Sequence, residues 1–199
     1  MRQSVQTSLR NQILIESIKI LGTHGFDGLS LREVAKKLKV THQAPYHYFP
    51  DKGALLIELK KMGFQLLNES MTEVSKKHLD PKVKPHEILE EIGIRYFDFC
   101  LQNPGYFRAM FAATSSGEGI RVTEAQQSFE CLMKAVKNLQ DSGWMKTEIS
   151  AEVAAMICWT YIHGLVALAL EKYPILGGKL EPRSLAKKMI GQMSLLLKK

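Results

Sequence analysis

The chain has 199 residues, of which 45% are hydrophobic and 24% charged, so it holds enough apolar material for one sizeable core or two smaller ones and is not a disordered polymer. Its formal charge of +7 and pI of about 9.3 call for an anionic partner, either nucleic acid or a membrane surface. Residues 1–61 carry ten Lys/Arg against five Asp/Glu, a net +5 that leaves only +2 for the remainder, so the basic surplus lies in the amino-terminal third.

Apolar residues recur every three or four positions, and no period-two run is flanked by hairpin turns, which predicts an all-α protein of about nine helices. The first helix is expected over residues 8–24, with Leu14, Ser17, Ile18 and Leu21 inward and Ile13 and Ile20 widening the stripe. Gly25 supplies a left-handed stop, and Phe26 beyond it is placed to pack back on Leu21. Ser30-Leu31-Arg32-Glu33 is a capping box. The short helix it opens has Leu31, Val34, Ala35 and Leu38 on one face and Arg32, Lys36, Lys37 and Lys39 on the other.

Val40 enters a tight turn, and Thr41 is expected to cap a third helix over residues 42–48. Asp51 caps a fourth, running from Lys52 through Leu55, Leu59, Met62, Leu66 and Leu67 towards His78, with Asp80-Pro81 and Lys84-Pro85 as breakers. This sets a domain of residues 1–58, a helical linker to about 79 and a second domain over 80–199.

Further helices are expected over 87–101, ending at Asn103-Pro104, over 105–113, and from Val122 through Phe129, Leu132 and Val136 to near Gly143, with a loop at Ser115-Ser116-Gly117. A long helix over 148–172, stopped by Pro174 and Gly177-Gly178, has no Asp, Glu, Lys or Arg between Val153 and Leu170. That run is about as long as the shortest membrane spans, but Thr160, Tyr161, His163 and Gly164 interrupt it, and a helix buried at a subunit interface gives the same pattern. The last helix starts near Pro182 with Leu185, Met189, Met193 and Leu196 on one stripe.

Cys100, Cys131 and Cys158 are 31 and 27 residues apart, without the spacing of a zinc or redox pair, and fit reduced core residues in a cytoplasm. The first twelve residues lack the apolar run of a signal peptide. No nucleophile elbow, phosphate loop, dinucleotide fingerprint or metal signature is present, so the expectation is no enzyme, no catalytic residue, no cofactor and no metal.

Two short helices joined by a tight turn match the geometry that lays a recognition helix in the major groove. The run Ile13-Leu14, Gly25-Phe26, Leu29-Ser30-Leu31, Val34-Ala35, Leu38, Val40-Thr41, Tyr46-His47-Tyr48-Phe49-Pro50-Asp51-Lys52 and Leu55 resembles the amino-terminal domain of the TetR family over about residues 10–58. The resemblance implies that Thr41, His42, Gln43, Ala44 and His47 face base edges and flanking phosphates. It implies also that Tyr46 and Tyr48 touch the DNA backbone and that Lys52 holds a phosphate. Gln43 has the donor and acceptor that an adenine edge needs, and Ser30 lies at a helix start able to meet a phosphate. Three positions depart from the family: Lys39 stands where glycine is usual, Tyr48 where histidine is common, and Pro45 interrupts the recognition helix.

Asn103-Pro104-Gly105-Tyr106-Phe107-Arg108-Ala109-Met110-Phe111 and Trp159-Thr160-Tyr161-Ile162-His163-Gly164 resemble the WHG-type carboxy-terminal domain of one TetR branch. This implies a homodimer through the last two long helices and a pocket for a small, largely apolar effector. Phe97, Phe107, Met110, Phe111, Phe129, Met133, Trp159 and His163 are the candidates to line it, with ordinary core packing as their alternative. The function implied is a cytoplasmic regulator that binds double-stranded DNA, a repressor released from a palindromic operator by its effector, with no membrane association. The alternatives are a DNA-binding regulator controlled by a protein partner instead of a small ligand, and a helical enzyme.

Overall fold

The structure is a computed structural model that describes residues 8–77, 82–112, 123–171 and 181–199. Expectations about His78, Asp80-Pro81, the loop at Ser115–Gly117, the start at Val122, Pro174 and Gly177-Gly178 lie outside these residues. Among the described residues there are eight α-helices, one short 3₁₀ helix and no strand. They are α1 (Leu9–His24), α2 (Leu31–Leu38), the 3₁₀ helix (Ala44–His47), α3 (Lys52–Lys77), α4 (Pro85–Gln102), α5 (Pro104–Phe111), α6 (Thr123–Asp141), α7 (Ala151–Leu170) and α8 (Pro182–Leu196).

The helix starts follow their capping residues. The side chains of Ser8, Ser30, Ser150 and Glu181 accept from backbone N–H groups in the first turns of α1, α2, α7 and α8, and Asp51 Oδ1 accepts from Ala54 N at 2.8 Å in α3. The end of α2 is closed by Lys39 at φ 57°, ψ 39°, with Lys39 N bonded to Lys36 O and Val40 N to Ala35 O. These bonds are a Schellman motif made by a lysine at the position that favours glycine.

The chain divides into two compact units, residues 1–64 with 103–122 and residues 65–102 with 123–199, and α3 runs through the division without a break. In the first unit Ile13, Leu14, Leu21, Leu29, Val34, Phe49, Leu55 and Leu59 form one cluster, each side chain contributing about 1.5–3 kcal/mol by its burial. The partition differs from the boundary at residues 79–80 read from the sequence, because α5 belongs with the amino-terminal unit. The reason is a set of contacts that no local pattern announces. Arg108 Nη1 donates to the Leu21 and Gly22 carbonyls at 2.9 and 2.8 Å, satisfying the open end of α1, and Ala109 is buried in the same cluster. Gly105 sits where a Cβ would collide with the Ile18 carbonyl oxygen, so only glycine permits this approach of α5 to α1.

In the second unit α4 packs on α6, α7 and α8. Phe97, Cys100, Leu139, Ala154, Ala155, Cys158 and Ile190 are buried there. Cys100 and Cys158 are buried, Cys131 is half-buried, and none of the three is in a disulfide. The stripe on α8 differs from the one read in the sequence: Ala186, Ile190, Met193 and Ser194 face inward, whereas Leu196 is 75% exposed. Leu66 on α3 also turns outward. Helix α7 is long and apolar enough to cross a membrane by length and composition, but its buried residues Ala154, Ala155, Cys158, Ile162, Leu165 and Val166 lie against the protein.

Candidate nucleic-acid interface

The segment from Ser30 to Lys52 projects a row of polar side chains from an apolar base. Pro45 and Phe49 are buried, and Thr41, His42, Gln43, Tyr46, His47 and Tyr48 are exposed, with Ala44 half-buried between them. The base is held by the Arg10 guanidinium, which stacks over the Phe49 ring at 5.4 Å and pairs with Glu58 at 3.2 Å.

The recognition element is shorter than the helix over residues 42–48 expected from the sequence, and Thr41 does not cap it through its side chain. It is a 3₁₀ turn over Ala44–His47 that starts at Gln43 without a side-chain cap. Bonds run from Ala44 N to Thr41 O, Tyr46 N to Gln43 O and Tyr48 N to Pro45 O, each 3.0 Å. Pro45 has no N–H to give, so the ladder skips it and tightens to i→i+3 spacing. The backbone of Thr41 and Gln43 is thus occupied while their side chains stay outside.

Ser30 is exposed but its hydroxyl accepts from Glu33 N at 3.1 Å, so it serves first as the α2 cap. Lys52 is half-buried and lies across the loop between α1 and α2: Nζ donates to the Phe26 carbonyl at 2.8 Å and lies 3.7 Å from the Phe26 ring centroid. Burial lowers the Lys52 ammonium below its ordinary range, and the Asp27 carboxylate opposes that shift. Gly25 adopts φ 68°, ψ −165°, an extended positive-φ conformation, and Phe26, expected to pack back on Leu21, is 41% exposed beneath the lysine.

The residues named as pocket candidates fall in different units. Phe107, Met110 and Phe111 belong to the amino-terminal unit, where Phe111 meets Phe107 at 5.3 Å and the Phe64 edge at 5.9 Å between ring centroids. Phe97, Phe129, Met133, Trp159 and His163 belong to the other. There Trp159 contacts Phe129 edge-on and lies 5.5 Å from the His163 ring, and Phe97 is fully buried. His163 Nδ1 is hydrogen-bonded to the Tyr96 hydroxyl at 2.8 Å. Desolvation pushes the His163 pKa down and the Tyr96 and Cys100 pKa values up, Cys100 to about 12, so this cluster is uncharged near neutrality.

Tyr96 is a polar partner that sequence reasoning missed, since 67 residues separate it from His163. A cleft of about 650 Å³ in the same unit was equally invisible. Its walls include Glu90, Arg95, Asp98, Gln102, Arg183 and Lys187, with Arg183 held bidentately by Asp98, and none of the pocket candidates borders it. Among the described residues no group of three His, Cys, Asp or Glu is arranged to hold a metal ion.

A capped helix, a tight turn and a short element displaying polar groups define a helix-turn-helix reader, here joined to a larger helical unit, which is the architecture of a DNA-binding transcriptional regulator. Residues 13–59 match the family of bacterial regulatory proteins, tetR family, and residues 89–193 match the tetracyclin repressor-like C-terminal domain. The chain belongs to the TetR family. Its fold is similar to that of a protein of unknown function from Rhodococcus sp. RHA1, at 21% identity over 100% of both chains and a TM-score of 0.78. A tetR-family regulatory protein from Rhodococcus RHA1 aligns at 16% identity over 96% of this chain and 98% of its own, with a TM-score of 0.75. The regulator FadR from Bacillus subtilis, solved in complex with stearoyl-CoA, aligns at 16% identity over 92% and 97%, with a TM-score of 0.71. No curated protein matches the chain.

Proposed function

We propose that this TetR-family regulator is a cytoplasmic homodimeric repressor that leaves a palindromic operator when a small, largely apolar effector binds its carboxy-terminal domain. The observation that carries the DNA half is the exposed row Thr41, His42, Gln43 and His47 on a turn whose base, Pro45 and Phe49, is buried. Gln43 reads a base edge, the other three flank it, and the exposed hydroxyls of Tyr46 and Tyr48 reach the phosphate backbone.

The homodimer is supported by the outward face of α7, where Val153, Met156, Ile157 and Leu168 are 40–50% exposed beside Thr160 and Gly164, and by Leu195 and Leu196 on α8. A second copy covering this face places two readers about 34 Å apart, one turn of DNA. Helix α3 continues from the reader into the second unit, so displacement of its distal part by an effector changes that spacing. An effector that prefers the non-binding state by ~3 kcal/mol weakens operator binding on the order of a hundredfold.

The effector is argued from the uncharged, aromatic surroundings of His163 and from the stearoyl-CoA bound by the Bacillus relative. Gel shifts with the DNA flanking the gene test the reader, and melting with stearoyl-CoA and free fatty acids tests the effector class. A saturating ligand at about 100 times its Kd adds ~2.7 kcal/mol. Gln43→Ala is expected to cost ~1–3 kcal/mol and relax choice at one base pair, read by selection from random duplexes. Failure of the wild type to select any sequence overturns the proposal.

A further inference from the structure

Helix α3 crosses the division between the two units after residue 64, and Asn68 lies in the first turn beyond it. Asparagine is a poor residue for a helix interior, because its side chain competes for backbone groups. This one is half-buried beside the buried Leu67, Met71 and Val74, and both ends of its amide are taken up by α6. Nδ2 donates to the Glu124 carbonyl at 2.9 Å and to Gln127 Oε1 at 3.4 Å, and Oδ1 accepts from Ser128 Oγ at 2.5 Å. The Glu124 carbonyl can only accept, which fixes the orientation of the amide. Gln65, Ser70 and Thr72, polar neighbours on α3, bond within their own helix instead.

Ser128 is followed by Phe129, whose ring meets Trp159 edge-on, and Trp159 in turn lies beside the His163 ring. The start of α6 therefore holds α3 with one residue and touches the aromatic surroundings of His163 with the next. Just before the division, a Cβ at Gly63 would come within 2.7 Å of Met110 Cγ, so α5 closes on α3 where α3 has no side chain. Apolar side chains let packed helices slide over one another, whereas a hydrogen bond weakens steeply with distance and angle. An amide engaged at both ends therefore passes a displacement on where an apolar contact would absorb it.

We propose that Asn68 is the positioning residue through which α6 sets the direction of α3: its clasp with Glu124 and Ser128 makes the two helices move together, so a shift of α6 caused by an effector reaches the DNA reader. This rests on the chain being an effector-released reader, and it names the place in the second unit where the signal enters α3.

The test uses the full chain as wild type, Asn68→Ala, Ser128→Ala and the double variant, with a palindromic duplex selected by the wild type. Each protein is measured on that duplex, on the same duplex with one base pair inserted between the half-sites, and on a single half-site. The insertion is expected to cost the wild type its paired-site avidity, about 10²–10⁴, and to cost Asn68→Ala at least ~10-fold less, because a released α3 adapts to the new spacing. Ser128→Ala, which keeps the Glu124 bond, falls between them, the double variant equals Asn68→Ala, and all four bind the single half-site alike. Equal losses in wild type and Asn68→Ala overturn the proposal. Saturating stearoyl-CoA is expected to weaken duplex binding about a hundredfold in the wild type and less than about tenfold in Asn68→Ala, although the variant still binds the compound. An undiminished effect in Asn68→Ala overturns the proposal, whereas no effect on the wild type refutes only the choice of stearoyl-CoA, and the spacing result decides. A wild type that selects no duplex refutes the regulator reading. Hydrogen exchange over residues 65–77 then judges the clasp without DNA: faster exchange in Asn68→Ala supports it, and unchanged exchange overturns it.

Discussion

The recognition turn and the outer face of α7 are both exposed, and they are exposed in opposite chemistries. Around the turn, Thr41, His42, Gln43 and His47 stand in solvent over a proline and a phenylalanine that are buried. On α7, Val153, Met156, Ile157 and Leu168 stand in solvent over a buried row of alanines and Cys158. A polar surface on a rigid base stays hydrated until it meets a wet, anionic groove, whereas an apolar helix face of this length gains by meeting its like. The kind of group left outside, more than the fact of exposure, separates the surface proposed to read DNA from the one proposed to pair subunits.

The largest effect is expected from Ile157→Glu, which places a charge in the apolar face. It should turn the proposed dimer into a monomer in sedimentation and remove the avidity of paired half-sites, about 10²–10⁴ in operator affinity. An unchanged sedimentation coefficient breaks the contrast, because α7 would then be covered by something other than a second copy. Next comes Leu59→Ala in the reader core, fully buried, expected to cost ~2–5 kcal/mol in denaturant unfolding and to abolish duplex binding.

A smaller effect of opposite sign is expected from Lys39→Gly. Glycine relieves the left-handed strain at the end of α2 and should raise stability by ~1 kcal/mol in thermal melting, with the turn geometry unaltered. The smallest is a pH effect in the second unit. Desolvation holds the His163 pKa below its unfolded value of about 6.5, so the unfolded chain binds the proton more readily. This contribution to stability is complete above pH ~6.5 and is lost as pH falls through the lower folded pKa. The melting temperature of His163→Gln should therefore depend less on pH over that window than that of the wild type.

The parts of the fold legible in the sequence are those decided within a few residues. Ser30 three positions before Glu33 and Asp51 before Ala54 announce helix starts because a capping oxygen reaches only its own first turn, and Pro182 at the head of α8 does so because its missing N–H is not needed there. Pro45 announces trouble in the recognition helix for the same local reason, although the outcome, a single 3₁₀ turn, depends on burying the proline ring against the reader core. Periodicity was less reliable for which way a stripe points. Leu196 continues the spacing of Leu185, Met189 and Met193 but faces outward, since the choice of inner face on α8 is made by its packing on α4.

By itself, then, the order of residues determined an all-helical chain with a basic, helix-turn-helix amino terminus, and the joint spacing from Ile13 to Leu55 was enough to place it in its family. Local hydrogen bonding and a 3.6-residue repeat are written into neighbouring residues and survive being read one window at a time. Tertiary structure alone decided that Arg108 closes the end of α1, that Tyr96 meets His163 and that Lys52 reaches Phe26. Each of these bonds joins residues from 26 to 87 positions apart, and a single polar side chain carries no mark of a partner at that distance until the core has folded around both.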